Sequence, residues 1–347
     1  MKILIVTPSL NPHGGIRVLI EWANGLARRG HHVTLQVENG AMRADWASIS
    51  PAVEILPGSL WELHGYDVAV AGTPIIANRM DPMSGSAERF FLLQMAEDMF
   101  TPNNKWWVQS CQQSYKVKMP IIGISRWVEK YVRKFRGNGK MYYIGNGVSD
   151  DFKPGNKDRT MSVIVECWGG YPGNTNPAKD IEQLGPKVAA HLKEKYKNQG
   201  IRIIAMSQFE SWTHPQAWDE YIHLPDHETW VRTMQRGHIM VKASRYDARS
   251  TAPVEAMACG VPTARALVEG DDDLMHEYNC LRGGYSLDEL VSHAERLIED
   301  SEVRHTLAAN GLKYRQQYLS WDYWLGKVEG IFKGETALMS KMTADEA

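Results

Sequence analysis

Short apolar runs alternate with helical apolar spacings along most of the chain. Lys2–Thr7 is rich in Ile and Val and reads as a strand, and the loop at residues 8–15 follows it. Ile16, Leu19, Ala23 and Leu26 then recur on one helical face, and Gly30 stands where that helix should stop. Residues 33–37 restart a strand. A strand, a loop, a helix and a strand in succession mark a parallel α/β sheet. The same reading places strands at 53–56, 68–71, 90–93, 121–124 and 142–144, with Ser125 capping a helix from 126 to about 134.

The polar stretch at 149–159 (SDDFKPGNKDR) has linker composition, and beyond it the alternation begins again. Strands are predicted at 162–167, 201–206, 221–224 and 239–241. Ser286 with Glu289 forms a capping-box pattern before a helix reaching 299, and a further helix is predicted over 303–318. The simplest organisation is two Rossmann-like αβα domains, at 1–153 and 154–320, followed by a C-terminal helical segment at 321–347.

Composition adds bounds. The 347 residues suit about two domains. A net charge of −2 argues against a nucleic-acid binder overall, although a local basic patch can sit inside a neutral total. Cys111, Cys167, Cys259 and Cys280 form no CxxC pair and no disulfide framework, which fits a reduced, cytoplasmic compartment. No apolar run reaches 18 residues, so no spanning helix is expected, and peripheral membrane contact stays open.

GxGxxG, the P-loop pattern and HExxH are all absent. Gly137–Lys140 has the wrong spacing for a P-loop and reads as a turn. Gly14 and Gly15 open the first helix, where backbone amides can approach an anion; a plain tight turn is the other reading. The segment YDARSTAPVEAMACGVP at 246–262 sets two acids, Asp247 and Glu255, eight apart around small residues, with Glu255 beginning an amphipathic helix. Glu255 is there either as a partner of the helix dipole or as the acceptor for ribose hydroxyls, with the amides of Ser250 and Thr251 directed at a pyrophosphate. Asp271-Asp272-Asp273 invites a metal reading, but no ligand cluster with suitable spacing accompanies it, and it reads as a loop.

This segment resembles the acid-x7-acid motif of the retaining glycosyltransferases of family four, which have the GT-B fold. Asp247 stands where the usual first glutamate is, and EAMACGVP from Glu255 to Pro262 matches the helix that follows. The resemblance extends over most of the chain: the glycine loop at Gly14-Gly15, residues 121–135, Ile144-Gly145-Asn146-Gly147-Val148 with Phe152, and Ser320-Trp321. Trp168-Gly169-Gly170 with Lys179-Asp180 stands where the family grips the pyrophosphate, Gly170 replacing the usual arginine. The resemblance thus leaves the phosphate to Lys179, alone or with Arg245 or Arg249. No family histidine is evident in the first domain. Instead, residues 94–100 (QMAEDMF) resemble a stretch of the subgroup that includes S-layer rhamnosyltransferases, which implies that Glu97 or Asp98 faces the reaction centre; a solvated loop acid is the alternative.

The resemblance implies two domains facing each other across a cleft, the second binding a nucleotide-sugar donor and the first an acceptor, with retention of anomeric configuration. The catalytic set would be Asp247, Lys179, Glu97 and Asp98. The donor would be held by Gly14, Gly15, Gly170, Lys179, Arg249, Ser250, Thr251 and Glu255. No cofactor or metal is expected beyond the donor itself. The acceptor is left open among a glycan, a lipid-linked glycan, a small molecule and a modified nucleic acid. A nucleotide-sugar epimerase or a silent scaffold of the same fold are the rival readings.

Overall fold

A computed structural model describes residues 1–167, 179–180, 182–207 and 215–335. The chain packs as two units. One comprises residues 1–98, 102–147 and the stretch from 319; the other comprises 99–101 and 148–318.

The first unit contains β1 (Lys2–Thr7), α1 (Gly14–Arg28), β2 (His32–Val37), β3 (Val53–Pro57), β4 (Val68–Ala71), α2 (Pro74–Met80), β5 (Glu88–Leu93), α3 (Lys105–Ser114), β6 (Ile121–Gly123), α4 (Arg126–Arg136) and β7 (Met141–Tyr143). Its seven strands are parallel in the order β3-β2-β1-β4-β5-β6-β7. Ile3, Leu4, Ile5 and Val6 of β1 are at most 1% exposed, which is why a central strand reads as a continuous apolar run rather than an alternating one. Ser125 caps α4 by accepting from Val128 N at 3.2 Å, and Gly137 ends that helix at φ +58°, a conformation that glycine adopts freely.

The second unit contains β8 (Ser162–Glu166), α5 (Leu184–Lys195), β9 (Arg202–Ser207), β10 (Glu220–His223), α6 (His227–Arg236), β11 (Ile239–Ala243), β12 (Tyr246–Asp247), α7 (Thr251–Ala258), β13 (Thr263–Ala266), β14 (Glu269–Gly270), β15 (Cys280–Gly283), α8 (Leu287–Glu299) and α9 (Ser301–Tyr318). Its main sheet is parallel in the order β10-β9-β8-β11-β13-β15, and β12 pairs with β14 beside it. Val163, Val165, Ile203, Val241 and Leu281 form the sheet side of a core closed by Val188 and Leu192 of α5 and Leu290 and Leu297 of α8. Helix α10 (Trp321–Phe332), the last among the described residues, packs in the first unit. Phe332 meets Phe90 and Trp22 there at centroid distances of 5.0 and 6.4 Å, and Glu329 pairs with Arg29 at 2.8 Å.

Three local expectations need correction. Helix α7 begins at Thr251, so Glu255 is its fifth residue rather than its first. Pro253 does not delay the helix, because a first-turn residue has no intrahelical acceptor to lose. Helix α7 is also buried almost all round, from Ala252 to Ala258, and so is not amphipathic. The pattern at Ser286 is half a capping box: Ser286 Oγ accepts from Glu289 N at 3.5 Å, but Glu289 accepts from Gly284 N at 2.8 Å.

Candidate functional site

The second unit carries a charged cluster at the carboxyl ends of β8, β11 and β13, the edge where open parallel sheets bind ligands. Arg265 on β13 is its centre. It is fully buried and donates to Asp271 through Nε at 3.0 Å and Nη2 at 2.7 Å, to Asp247 at 3.2 Å and to Ser250 Oγ at 3.3 Å. A guanidinium can serve several acceptors at once because its donors lie in a fixed plane. Asp271 adopts φ +56° and also accepts from Ser250 N at 2.6 Å. Lys242 and Glu166, register partners on β11 and β8, form a second buried ion pair.

Asp247 collects these charges. Ser250 Oγ donates to it at 2.5 Å, and Lys179 Nζ stands 4.0 Å from its other oxygen. Burial alone would raise its pKa, but Lys179, Lys242, Arg265 and the Ser250 hydroxyl outweigh burial and hold the carboxyl well below the usual range. Asp247 is therefore ionised at any working pH. Its side chain is 13% exposed and that of Lys179 16%, near the 11% of Glu166 and above the 0–4% of Arg265, Asp271, Lys242 and Arg249. An open anion–cation pair thus stands on a closed ionic base.

Of the residues expected to hold the donor, Lys179 and Ser250 come together with the expected catalytic Asp247. Thr251 opens α7 and is partly exposed. Glu255 lies four positions on, on the same helical face, and is 6% exposed. Its Oε2 accepts from Trp230 Nε1 of α6 at 2.7 Å, so the carboxylate is oriented from behind. No side chain caps α7, because the Ser250 hydroxyl is turned to Asp247. The amides of Thr251 and Ala252, which have no intrahelical acceptor, give that end anion character.

Two expected roles change. The Ser250 amide is taken by Asp271, so it cannot also be directed at a pyrophosphate. Arg249 is buried and paired with Asp273, which also accepts from Tyr314 at 3.0 Å. Burial nevertheless pushes Asp273 up to about 6. Two members of the Asp271–Asp273 triplet are thus counter-ions of buried arginines, and among the described residues no cluster of three His, Cys, Asp or Glu is placed to hold a metal. Arg245 pairs with Glu182 and lies 4.9 Å from the Tyr285 ring centroid. Asp180 is buried and accepts the Leu184 and Gly185 amides at 2.8 and 2.9 Å, which fills the N-terminus of α5 from within. Trp168, Gly169 and Gly170 lie outside the described residues.

In the first unit, Gly14 and Gly15 begin α1, but the Gly15 amide donates to His13 Nδ1 at 3.1 Å and so is not open to an anion. Gln94 donates to the Gly15 carbonyl at 3.0 Å, which joins the loops after β1 and β5. Asp98 is 5% exposed and accepts from Tyr115 and Tyr131 hydroxyls at 2.7 Å each, which makes it a brace for α3 and α4. Glu97 beside it is partly exposed. Burial, with Asp98 as a neighbouring charge, pushes its carboxyl up to about 8, so it holds a proton near neutral pH. Arg265, Lys242 and Trp230 are site residues that sequence reasoning did not find. Only the Arg265 position, a lone cation in an apolar-small run (PTARAL), carried any signal.

No family model matches the chain. Among curated proteins, O-antigen chain mannosyltransferase B of Escherichia coli is 21% identical over 192 residues, which is 50% of this chain and 49% of that protein. The match therefore spans about half of that relative. Solved structures are similar over nearly the whole length. Sucrose-phosphate synthase from Thermosynechococcus elongatus gives a TM-score of 0.77 at 13% identity, with 97% of this chain and 99% of that one covered. Anabaena HepE in complex with UDP-glucose gives 0.72 at 13% identity, covering 96% and 100%. WaaG, a glycosyltransferase involved in lipopolysaccharide biosynthesis, gives 0.70 at 13% identity, also covering 96% and 100%. The two parallel-sheet α/β domains have the GT-B fold of these glycosyltransferases.

Proposed function

We propose that the protein is a glycosyltransferase that takes a sugar from a nucleoside diphosphate donor and transfers it with retention of anomeric configuration. The observation that carries this is the open Lys179–Asp247 pair, set on the buried Arg265–Asp271–Ser250 base at the ligand-binding edge of the second sheet. Similar folds solved with UDP and UDP-glucose support a nucleotide donor, and the acid-x7-acid segment supports retention.

In this reading the Lys179 ammonium and the first-turn amides of α7 neutralise the departing diphosphate. Asp247, kept ionised by its neighbours, hydrogen-bonds the sugar and steadies the positive charge that grows on it. These groups are fixed before the reaction starts, so they stabilise the developing charges without reorganising. Glu255, held by Trp230, accepts from the ribose hydroxyls. The leaving group needs no resident metal, because cationic side chains and helix amides take its charge. On the first unit, Glu97 is a carboxyl that holds its proton near neutral pH, and the neighbouring Asp98 is fixed by the two tyrosines.

Glu255→Gln tests the donor assignment. The substitution keeps shape and the Trp230 partner but removes the charge that strengthens hydroxyl hydrogen bonds. Calorimetric titration with a free nucleoside diphosphate should show affinity reduced by roughly tenfold or more. Affinity equal to that of the parent protein would remove Glu255 from the ribose site.

A further inference from the structure

Lys179 and Asp247 come from segments far apart in the chain, and one side chain from a third segment touches the neighbours of both. Tyr285 lies between β15 and α8, next to Ser286, the residue that caps α8. Its hydroxyl donates to Asp180 Oδ1 at 2.7 Å and accepts from the Glu182 amide at 3.4 Å. Its ring centroid lies 4.9 Å from the guanidinium of Arg245, two positions before Asp247. Arg245 also pairs with Glu182, which closes the bracket.

Asp180 is the inner end of this bracket. It is fully buried, whereas the side chain of Lys179 beside it reaches the surface. Its two oxygens take the amides of Leu184 and Gly185, and its carbonyl takes that of Gln183. Gln183 is held at φ +57°, a left-handed conformation that residues other than glycine rarely adopt. Burial raises the Asp180 carboxyl, and the two amides with the Tyr285 hydroxyl oppose the rise. Its charge is thus directed to α5 rather than to the neighbouring ammonium. Burial, with the Asp180 charge, also raises the Tyr285 hydroxyl, so it stays a donor at any working pH.

We infer that Tyr285 is a positioning residue for Lys179: its hydroxyl fixes Asp180, and Asp180 fixes the backbone from which the ammonium reaches the departing diphosphate. The inference rests on the donor reading above. A lysine has a flexible four-carbon stem, so its ammonium loses less freedom on meeting a diphosphate when the backbone beneath it is already set. The Arg245 contact ties the segment bearing Asp247 to the same ring, so one residue holds both arms of the open pair.

The test is calorimetric titration of UDP, GDP, ADP, CDP and dTDP into the parent protein, then of the tightest of them into Tyr285→Phe, Lys179→Ala and the double variant. Tyr285→Phe keeps the ring and removes the hydroxyl alone. In the parent background it should lower affinity by about fivefold or more, the worth of one net hydrogen bond. In the Lys179→Ala background the same substitution should change affinity by less than about twofold, because the group it positions is gone. Equal losses in the two backgrounds would make Tyr285 a general support of the fold and overturn the inference. Parent-like affinity in Tyr285→Phe would overturn it too. Parent-like affinity in Lys179→Ala, or no binding by the parent, would instead overturn the donor reading and the inference with it.

Discussion

Asp247→Asn should slow sugar transfer by roughly two to three orders of magnitude while changing the affinity for a free nucleoside diphosphate only a few-fold. The carboxylate is the anion of the open pair. In the proposed reading its interaction with the sugar would strengthen as positive charge develops, so its removal should lower kcat more than it raises KM. The amide keeps one acceptor for Ser250 and Arg265, which limits structural damage. Lys179→Ala should behave differently. In the proposed reading the ammonium would meet the diphosphate both before and after bond cleavage, so its loss should weaken nucleotide binding as well as slowing turnover by about tenfold or more. Initial rates beside calorimetric titrations of both variants separate the two roles. Transfer by Asp247→Asn at the parent rate would take the carboxylate out of the reaction.

Arg265→Met should be among the most destabilising single changes in the second unit, costing about 3–5 kcal/mol in denaturant unfolding. The side chain is fully buried, and its removal leaves Asp271, 2% exposed, without its cation. A buried carboxylate deprived of its partner costs far more than the pair contributes when intact. Adding Asp271→Asn to Arg265→Met should therefore recover part of the loss, because the stranded charge is gone. Purely additive losses in the double variant would show that the two side chains are not energetically coupled. A loss under about 1 kcal/mol for Arg265→Met would show that the base of the site is not ionic in the sense described.

The fold was largely legible because central parallel strands are apolar on both faces. The runs at β1, β4, β8 and β11 announce themselves, while β2 alternates Val33, Leu35 and Val37 with the buried polar Thr34 and Gln36. Elements whose sequence conflicts with their burial were harder. Strand β13 reads TARA, and its most important residue is a buried arginine that only tertiary partners make tolerable. Helices α5 and α7 carry Pro186 and Pro253 in their first turns, where proline is accepted by the helix but resembles a breaker in the sequence. Helix α3 buries only Cys111 and Ser114, so it has no apolar stripe to read.

The candidate site was legible in part for the same reason. The acids Asp247 and Glu255 are marked by their spacing within one segment. Their supports come from elsewhere: Arg265 eighteen positions from Asp247, Lys242 from the preceding strand, Trp230 from α6. Spacing cannot announce such partners, because parallel strand order brings them together. Arg249 shows the converse. Its place between the two acids suggested a phosphate contact, yet its partner is the buried Asp273.

Binding of a nucleoside diphosphate by the second unit is the central requirement of the proposed function, and thermal unfolding in the presence of ligands measures it directly. A ligand that binds the folded state alone raises the apparent melting temperature in proportion to ln(1 + [L]/Kd). At least one nucleoside diphosphate, and its sugar conjugate, should raise the melting temperature in a dose-dependent way, while the free sugar and inorganic phosphate at the same concentrations should not. The Lys179→Ala protein should show a smaller rise. No shift with any nucleoside diphosphate or nucleotide sugar, at concentrations up to the millimolar range, would contradict the account.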